Sequence, residues 1–162
     1  MKRRSKELKI GSVTIGGGRP LAVQSMCNTD TRDVEATAAQ LARLNEAGCQ
    51  IARLAVPDME AAKAIAEIKK RTELPLVADI HFDYRLALEA CRSGVDKIRI
   101  NPGNIGEKWK IKEVADASRA CGIPIRIGVN SGSVDKDLRE EYGVTPFTLY
   151  RSAVRNIEAL NE

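Results

Sequence analysis

Aromatic side chains are scarce in this sequence, at 4% of 162 residues, and histidine occurs once, at His81. A nucleic-acid binder concentrates basic residues on one face and interleaves aromatics for base stacking. Here 26 basic and 22 acidic residues leave a formal charge of +4, spread along the chain apart from a short basic start at Lys2-Arg3-Arg4 and Lys6. Nucleic acid is therefore not expected as a partner. Long apolar runs are missing too: no stretch approaches the roughly 18 residues a membrane span needs, and none follows the basic start as in a secretory signal. A soluble, cytoplasmic protein with no membrane partner is expected.

Closely spaced cysteines are also absent. Cys27, Cys49, Cys91 and Cys121 lie far apart with no Cys-x-x-Cys pair, so no metal site is expected within the chain. Cys49, Cys91 and Cys121 sit beside small or apolar residues near apparent helix ends and read as buried reduced thiols. Cys27 directly follows a strand and is placed to face a pocket, but no neighbouring base marks it as a nucleophile.

What is present is alternation. With 43% hydrophobic residues, the chain can bury one core, and residues 1–162 are read as one domain. Five short runs rich in branched apolar residues, at 20–26, 51–56, 75–81, 97–101 and 124–130, predict strands. Helical periodicity separates them. The first helix, over 33–47, places Val34, Ala38, Leu41 and Leu44 on one face and stops at Gly48. Asp58 and Asp83 are N-caps for the next two, which bury Met59, Ala62, Ile65, Ala66 and Ile68, and then Leu86, Ala87 and Ala90. A fourth spans 107–120. The last starts with Thr145 as cap and Pro146 at its first position, and its pattern buries Phe147, Tyr150, Val154 and Ile157. Ahead of the first strand, residues 9–15 read as a hairpin, and Gly16-Gly17-Gly18 as a flexible turn without the Lys-Ser/Thr of a phosphate loop.

Alternating strands and helices imply a parallel sheet, either open and doubly wound or part of a barrel. Strands covered by helices on both faces are apolar at nearly every position. These are not. Leu76, Ala78 and Ile80 oppose Asp79 and His81; Ile98 and Ile100 oppose Arg99 and Asn101; Ile125, Ile127 and Val129 oppose Arg126, Gly128 and Asn130. Ala52, Leu54 and Val56 likewise oppose Arg53 and Ala55. A polar inner face covered by helices only on the outside is that of a (β/α)8 TIM barrel, whose active sites lie at the carboxyl ends of the strands. Eight units need about 250 residues. The expected fold is thus an incomplete α/β barrel of about five βα units preceded by a short hairpin, a truncated product or one piece of a larger assembly.

Arg53, Arg99 and Arg126 come from three strands and by this alternation share the barrel mouth with His81, Asn101 and Asn130. Guanidinium groups confined together repel unless an anion lies among them, and their donor fork matches phosphate oxygens. The competing account is that Asp79 and other carboxylates neutralise them as buried ion pairs. His81 and Asp79, on one face at a strand end, are the catalytic candidates: proton transfer by the imidazole, orientation by the carboxylate. Gln24 and Ser25 at the first strand's end are minor hydrogen-bonding candidates. Residues 101–106, Asn-Pro-Gly-Asn-Ile-Gly, form a tight βα loop able to turn backbone N–H groups toward a ligand.

Three stretches carry a resemblance: Val77-Ala78-Asp79-Ile80-His81-Phe82-Asp83-Tyr84-Arg85, Arg99-Ile100-Asn101-Pro102-Gly103-Asn104-Ile105-Gly106, and Ile123-Pro124-Ile125-Arg126-Ile127-Gly128-Val129-Asn130. With Ala22-Val23-Gln24-Ser25-Met26 and Asp33-Val34-Glu35-Ala36-Thr37, they resemble the 4-hydroxy-3-methylbut-2-enyl diphosphate synthase family of the non-mevalonate isoprenoid pathway. The resemblance covers about residues 8–145. It implies an oxidoreductase that converts 2-C-methyl-D-erythritol 2,4-cyclodiphosphate to the allylic diphosphate, with electrons from flavodoxin or ferredoxin passing through a 4Fe-4S cluster. It also implies a homodimer in which a separate carboxyl-terminal domain holds the cluster through three cysteines and a glutamate. By motif, Arg53, His81, Arg99, Asn101, Arg126 and Asn130 become substrate ligands. None of the four cysteines matches a cluster ligand, so this chain is expected to bind no cofactor and to be inactive alone. Two other readings stand beside it: a non-catalytic phosphometabolite binder or half-barrel subunit, and a pteroate-synthase-like transferase.

Overall fold

A computed structural model of the chain describes residues 5–161; the basic start at residues 2–4 lies outside them. The expected hairpin pairs β1 (Leu8–Ile10) with β2 (Val13–Ile15) antiparallel. Five parallel strands follow: β3 (Gln24–Met26), β4 (Ile51–Ala55), β5 (Leu76–Ile80), β6 (Lys97–Ile100) and β7 (Ile125–Ile127). Their spatial order is their chain order. A doubly wound sheet reverses strand order part-way, whereas a barrel does not. The arc is therefore part of a TIM-type barrel.

The helices between the strands are α1 (Val34–Glu46), α2 (Met59–Lys69), α3 (Tyr84–Arg92) and α5 (Lys108–Cys121), with a four-residue turn α4 (Pro102–Ile105) before α5. Side-chain oxygens of Asp33, Asp58 and Asp83 accept from backbone N–H groups of the first turns of α1, α2 and α3, satisfying donors a helix start leaves orphaned. Gly122 closes α5 in the left-handed conformation, at φ 66°, a geometry that costs most other residues about 1 kcal/mol. Two further helices, α6 (Lys136–Tyr142) and α7 (Pro146–Asn161), follow β7.

The outward strand residues Ala52, Leu54, Ala78, Ile80, Ile98 and Ile100 form one core with Leu41, Ile65, Ile68, Leu86 and Val114 from the helices. Burying each such aliphatic side chain contributes about 2 kcal/mol. On the inner face, Ile51 and Val77 pack against Ile10 of the hairpin, which plugs the amino-terminal end of the arc. Above this apolar plug the inner face turns polar.

Four expectations need correction. The last helix does not bury its apolar stripe: Phe147, Tyr150 and Ile157 are exposed, while Thr148, Ser152 and Asn156 are buried. Periodicity identifies an apolar face, not how far it is covered: Phe147 meets the ring of Tyr142 from α6 edge-on, at 5.4 Å between centroids, and still stays about half exposed. The strands expected at 20–26 and 124–130 are only three residues each, because β3 and β7 are the sheet's edges with a ladder on one side; Leu21 and Val23 are exposed there. Cys121 is exposed rather than buried, whereas Cys49 and Cys91 are buried. Residues 102–105 make a helical turn rather than a plain loop.

Candidate functional site

The strand ladder sets the site. Ala55, Asp79, Arg99 and Arg126 stand side by side in successive parallel strands, with Arg53 two residues before Ala55 on the same inner face. Asp79 is the hub. Its carboxylate is 1% exposed and accepts from two guanidinium groups: Arg53 Nε and Nη2 approach Oδ2 at 3.0 and 2.5 Å, and Arg99 Nη1 approaches Oδ1 at 3.0 Å. His81 Nε2 lies 3.2 Å from Oδ2. Burial alone would raise the Asp79 pKa. Hydrogen bonds from Arg53 and His81, with the charges of Arg53 and Arg99, overcome that and hold it below the usual carboxylate range.

Two cations share one anion, so the cluster carries one positive charge in excess. That separates it from both earlier readings. The arginines are neither free nor each matched to its own carboxylate; they are tethered by one buried group that fixes their position and cancels half their charge. Long cationic side chains held in this way lose little further freedom when an oxyanion arrives.

Beside the hub lies a cavity of about 340 Å³, lined by Val56, Pro57, Phe82 and Leu86 together with Asp79 and His81. It pairs an apolar wall with a charged floor. Asn101, two residues beyond Arg99, is 1% exposed, and neither its Oδ1 nor its Nδ2 has a hydrogen-bond partner among the described residues. An unpaired buried polar atom costs about 1–3 kcal/mol, so this amide is a costly feature of the strand end.

The six proposed ligands thus divide. Arg53, His81 and Arg99 meet at Asp79, and Asn101 follows on the same strand. Arg126 does not join them: it is exposed and lines a second cavity of about 980 Å³ toward the hairpin, with Ile10, Gln24, Ile51 and Lys97. Asn130 spends its side chain on a local cap, its Oδ1 accepting from Gly132 N–H at 3.0 Å at the start of the 3-10 turn Ser131–Ser133. Gln24 belongs to the lower cavity. Ser25 is half-buried in β3.

Sequence reasoning passed over Lys97. It is 7% exposed, faces the lower cavity, and has no ion-pair partner among the described residues; burial and the nearby charge of Arg126 lower its pKa. The signal was present, since 97, 99 and 101 share one strand parity.

An iron-sulfur cluster does not fit the residues described. Cys27 is buried at the edge of the outer core with its thiol pushed up to about 11 by burial and by Cys49, the opposite of a thiolate ligand. No three His, Cys, Asp or Glu side chains among the described residues are grouped to hold a metal. No described helix is long and apolar enough to cross a membrane.

The sequence model of the GcpE TIM-barrel domain matches residues 5–162. The chain belongs to this family. Among curated relatives, the 4-hydroxy-3-methylbut-2-en-1-yl diphosphate synthase (flavodoxin) of Lysinibacillus sphaericus strain C3-41 is 56% identical over 162 residues, 99% of this chain and 44% of that protein. The enzyme of the same name from Caldanaerobacter subterraneus subsp. tengcongensis is 54% identical over 163 residues, 100% of this chain and 46% of that protein. This GcpE domain chain therefore spans under half the length of these relatives.

Among solved structures, Xanthomonas albilineans dihydropteroate synthase with 4-aminobenzoic acid superposes with a TM-score of 0.65 at 18% identity, over 96% of this chain and 61% of that one. The Stenotrophomonas maltophilia enzyme gives 0.65 at 19% identity, over 97% and 60%. At that identity the likeness shows the barrel fold alone. The GcpE match agrees with the strand order and fixes the family, not the ligand.

Proposed function

We propose that this GcpE barrel chain supplies the substrate site of a 4-hydroxy-3-methylbut-2-enyl diphosphate synthase, and that its ligand is 2-C-methyl-D-erythritol 2,4-cyclodiphosphate. One observation carries the reading: two guanidinium groups tethered to one buried carboxylate, with charge in excess, at the strand ends where barrel enzymes bind substrate. Arg53 and Arg99 take diphosphate oxygens, Asn101 satisfies its idle amide on the ligand, and the apolar wall at Val56, Pro57 and Leu86 faces the carbon skeleton. His81, whose Nε2 lies 3.2 Å from Asp79 Oδ2, is the group placed to donate a hydrogen bond or proton to a substrate oxygen. Arg126 and Asn130 are ligands by resemblance; here Arg126 lines the lower cavity and Asn130 caps the turn Ser131–Ser133.

The complete reaction is reductive ring opening, and its electrons come from flavodoxin, the reductant named in the relatives. In the family the 4Fe-4S group supplies that electron transfer. Because the described residues do not fit the cluster, the chain's own part is binding and orientation, within a cytoplasmic homodimer that carries the cluster in a separate domain.

The test is a chimera in which this chain replaces the matching region of the Lysinibacillus sphaericus synthase. Flavodoxin-dependent conversion of the cyclic diphosphate is expected. A folded chimera that accepts electrons but leaves the cyclic diphosphate unchanged contradicts the proposal.

A further inference from the structure

Gly128 stands just past β7 on its inner face, its backbone N–H donating to the Ile100 carbonyl at 2.7 Å. Its φ lies outside the positive range that favours glycine, so backbone conformation gives no reason for glycine here. A side chain would meet something specific. A Cβ built on Gly128 falls 2.5 Å from Arg99 Nη2, 2.7 Å from Nε and 2.8 Å from Cζ, far inside van der Waals contact. Ordinarily the end of an arginine would swing aside. This one is held, because its Nη1 is bonded to the buried Asp79 carboxylate on the opposite side.

Arg99 thus bridges two strands. One nitrogen is anchored on β5, while the Nε and Nη2 edge lies against the bare α-carbon of Gly128. From this we infer that Gly128 is a positioning residue for anion recognition, its missing side chain leaving the room in which the Arg99 guanidinium lies while its Nη1 stays on Asp79. The inference rests on the diphosphate-site reading above, and its first test does not.

Gly128→Ala, Arg99→Ala and the double variant are compared with the parent chain. The first readout is the acid titration of the Asp79 carboxyl carbon by NMR, without ligand. In Gly128→Ala the displaced guanidinium releases Asp79, and the midpoint rises toward its ordinary value. The double variant titrates like Arg99→Ala. The second readout is calorimetric titration with the cyclic diphosphate, where Gly128→Ala weakens binding by about tenfold, the worth of one charge-assisted bond, and adds no loss to Arg99→Ala.

An unchanged Asp79 midpoint in Gly128→Ala overturns the inference. So does an equal loss of affinity from Gly128→Ala whether or not Arg99 is present. Should Gly128→Ala fail to fold, recovery of folding in the double variant supports the collision, and failure of both overturns it. A parent that ignores the cyclic diphosphate refutes the ligand while the titration still decides the role of Gly128.

Discussion

The upper and lower halves of the inner face solve the same problem differently. At the strand ends, Arg53 and Arg99 are balanced in part by one buried carboxylate, and every charged group there has a partner. Nearer the hairpin, Lys97 and Arg126 face one cavity with no carboxylate in bonding range among the described residues. The difference is one of charge balance: the upper pair is anchored on a buried anion, whereas among the described residues the lower pair meets only its like charge.

The largest expected effect comes from breaking the upper layer. Asp79→Asn leaves two guanidinium groups partly buried without their anion and costs about 3 kcal/mol, read as a lower urea midpoint at unchanged slope. The pH dependence has a definite sign. The Asp79 pKa is depressed on folding, so its stabilisation is fully present above the ordinary aspartate value of about 3.9 and is lost as pH falls through the lower folded value. The acid limb of the stability curve should be steeper in the parent than in Asp79→Asn.

The lower layer should respond in the opposite direction. Lys97→Met removes an unpaired buried charge and raises stability by about 1 kcal/mol. The Lys97 pKa is also depressed, but this group is a base, so folding disfavours its proton. Its penalty is complete below the folded value and disappears as pH rises toward the ordinary lysine value of about 10.4. Chemical denaturation at pH 7 and pH 10 should show Lys97→Met gaining less at the higher pH.

The smallest effect sharpens the same contrast on the outer surface. Ser152 is buried in α7 with no partner for its hydroxyl among the described residues, whereas Thr148 on the same face bonds the Thr145 carbonyl at 2.9 Å. Ser152→Ala is expected to gain up to about 1 kcal/mol and Thr148→Ala to lose a similar amount, differences that thermal melting resolves.

Much of this was legible beforehand. The opposition of Asp79 and His81 to Leu76, Ala78 and Ile80 already argues against a doubly wound sheet, and the capping aspartates Asp58 and Asp83 place two helix starts. The site was legible as a face but not as a network. Alternation puts Arg53, Arg99 and Arg126 on one side, yet their height along the barrel axis depends on register and stagger, which single strands do not reveal. Arg126 is the register partner of Arg99 and yet lines the lower cavity with Lys97. The cap made by Asn130 is local, since a short polar side chain before Ser131-Gly132-Ser133 serves as a turn cap as readily as a ligand. The outward stripe of Phe147, Tyr150 and Ile157 shows the same limit on α7, where periodicity gives a face but not its burial.

The account stands most directly on calorimetric titration of the chain with the cyclic diphosphate, beside an Arg53→Ala/Arg99→Ala double variant. It predicts binding by the parent and a loss of at least about tenfold in the variant. Equal affinity in both would mean that the tethered arginines do not hold the ligand.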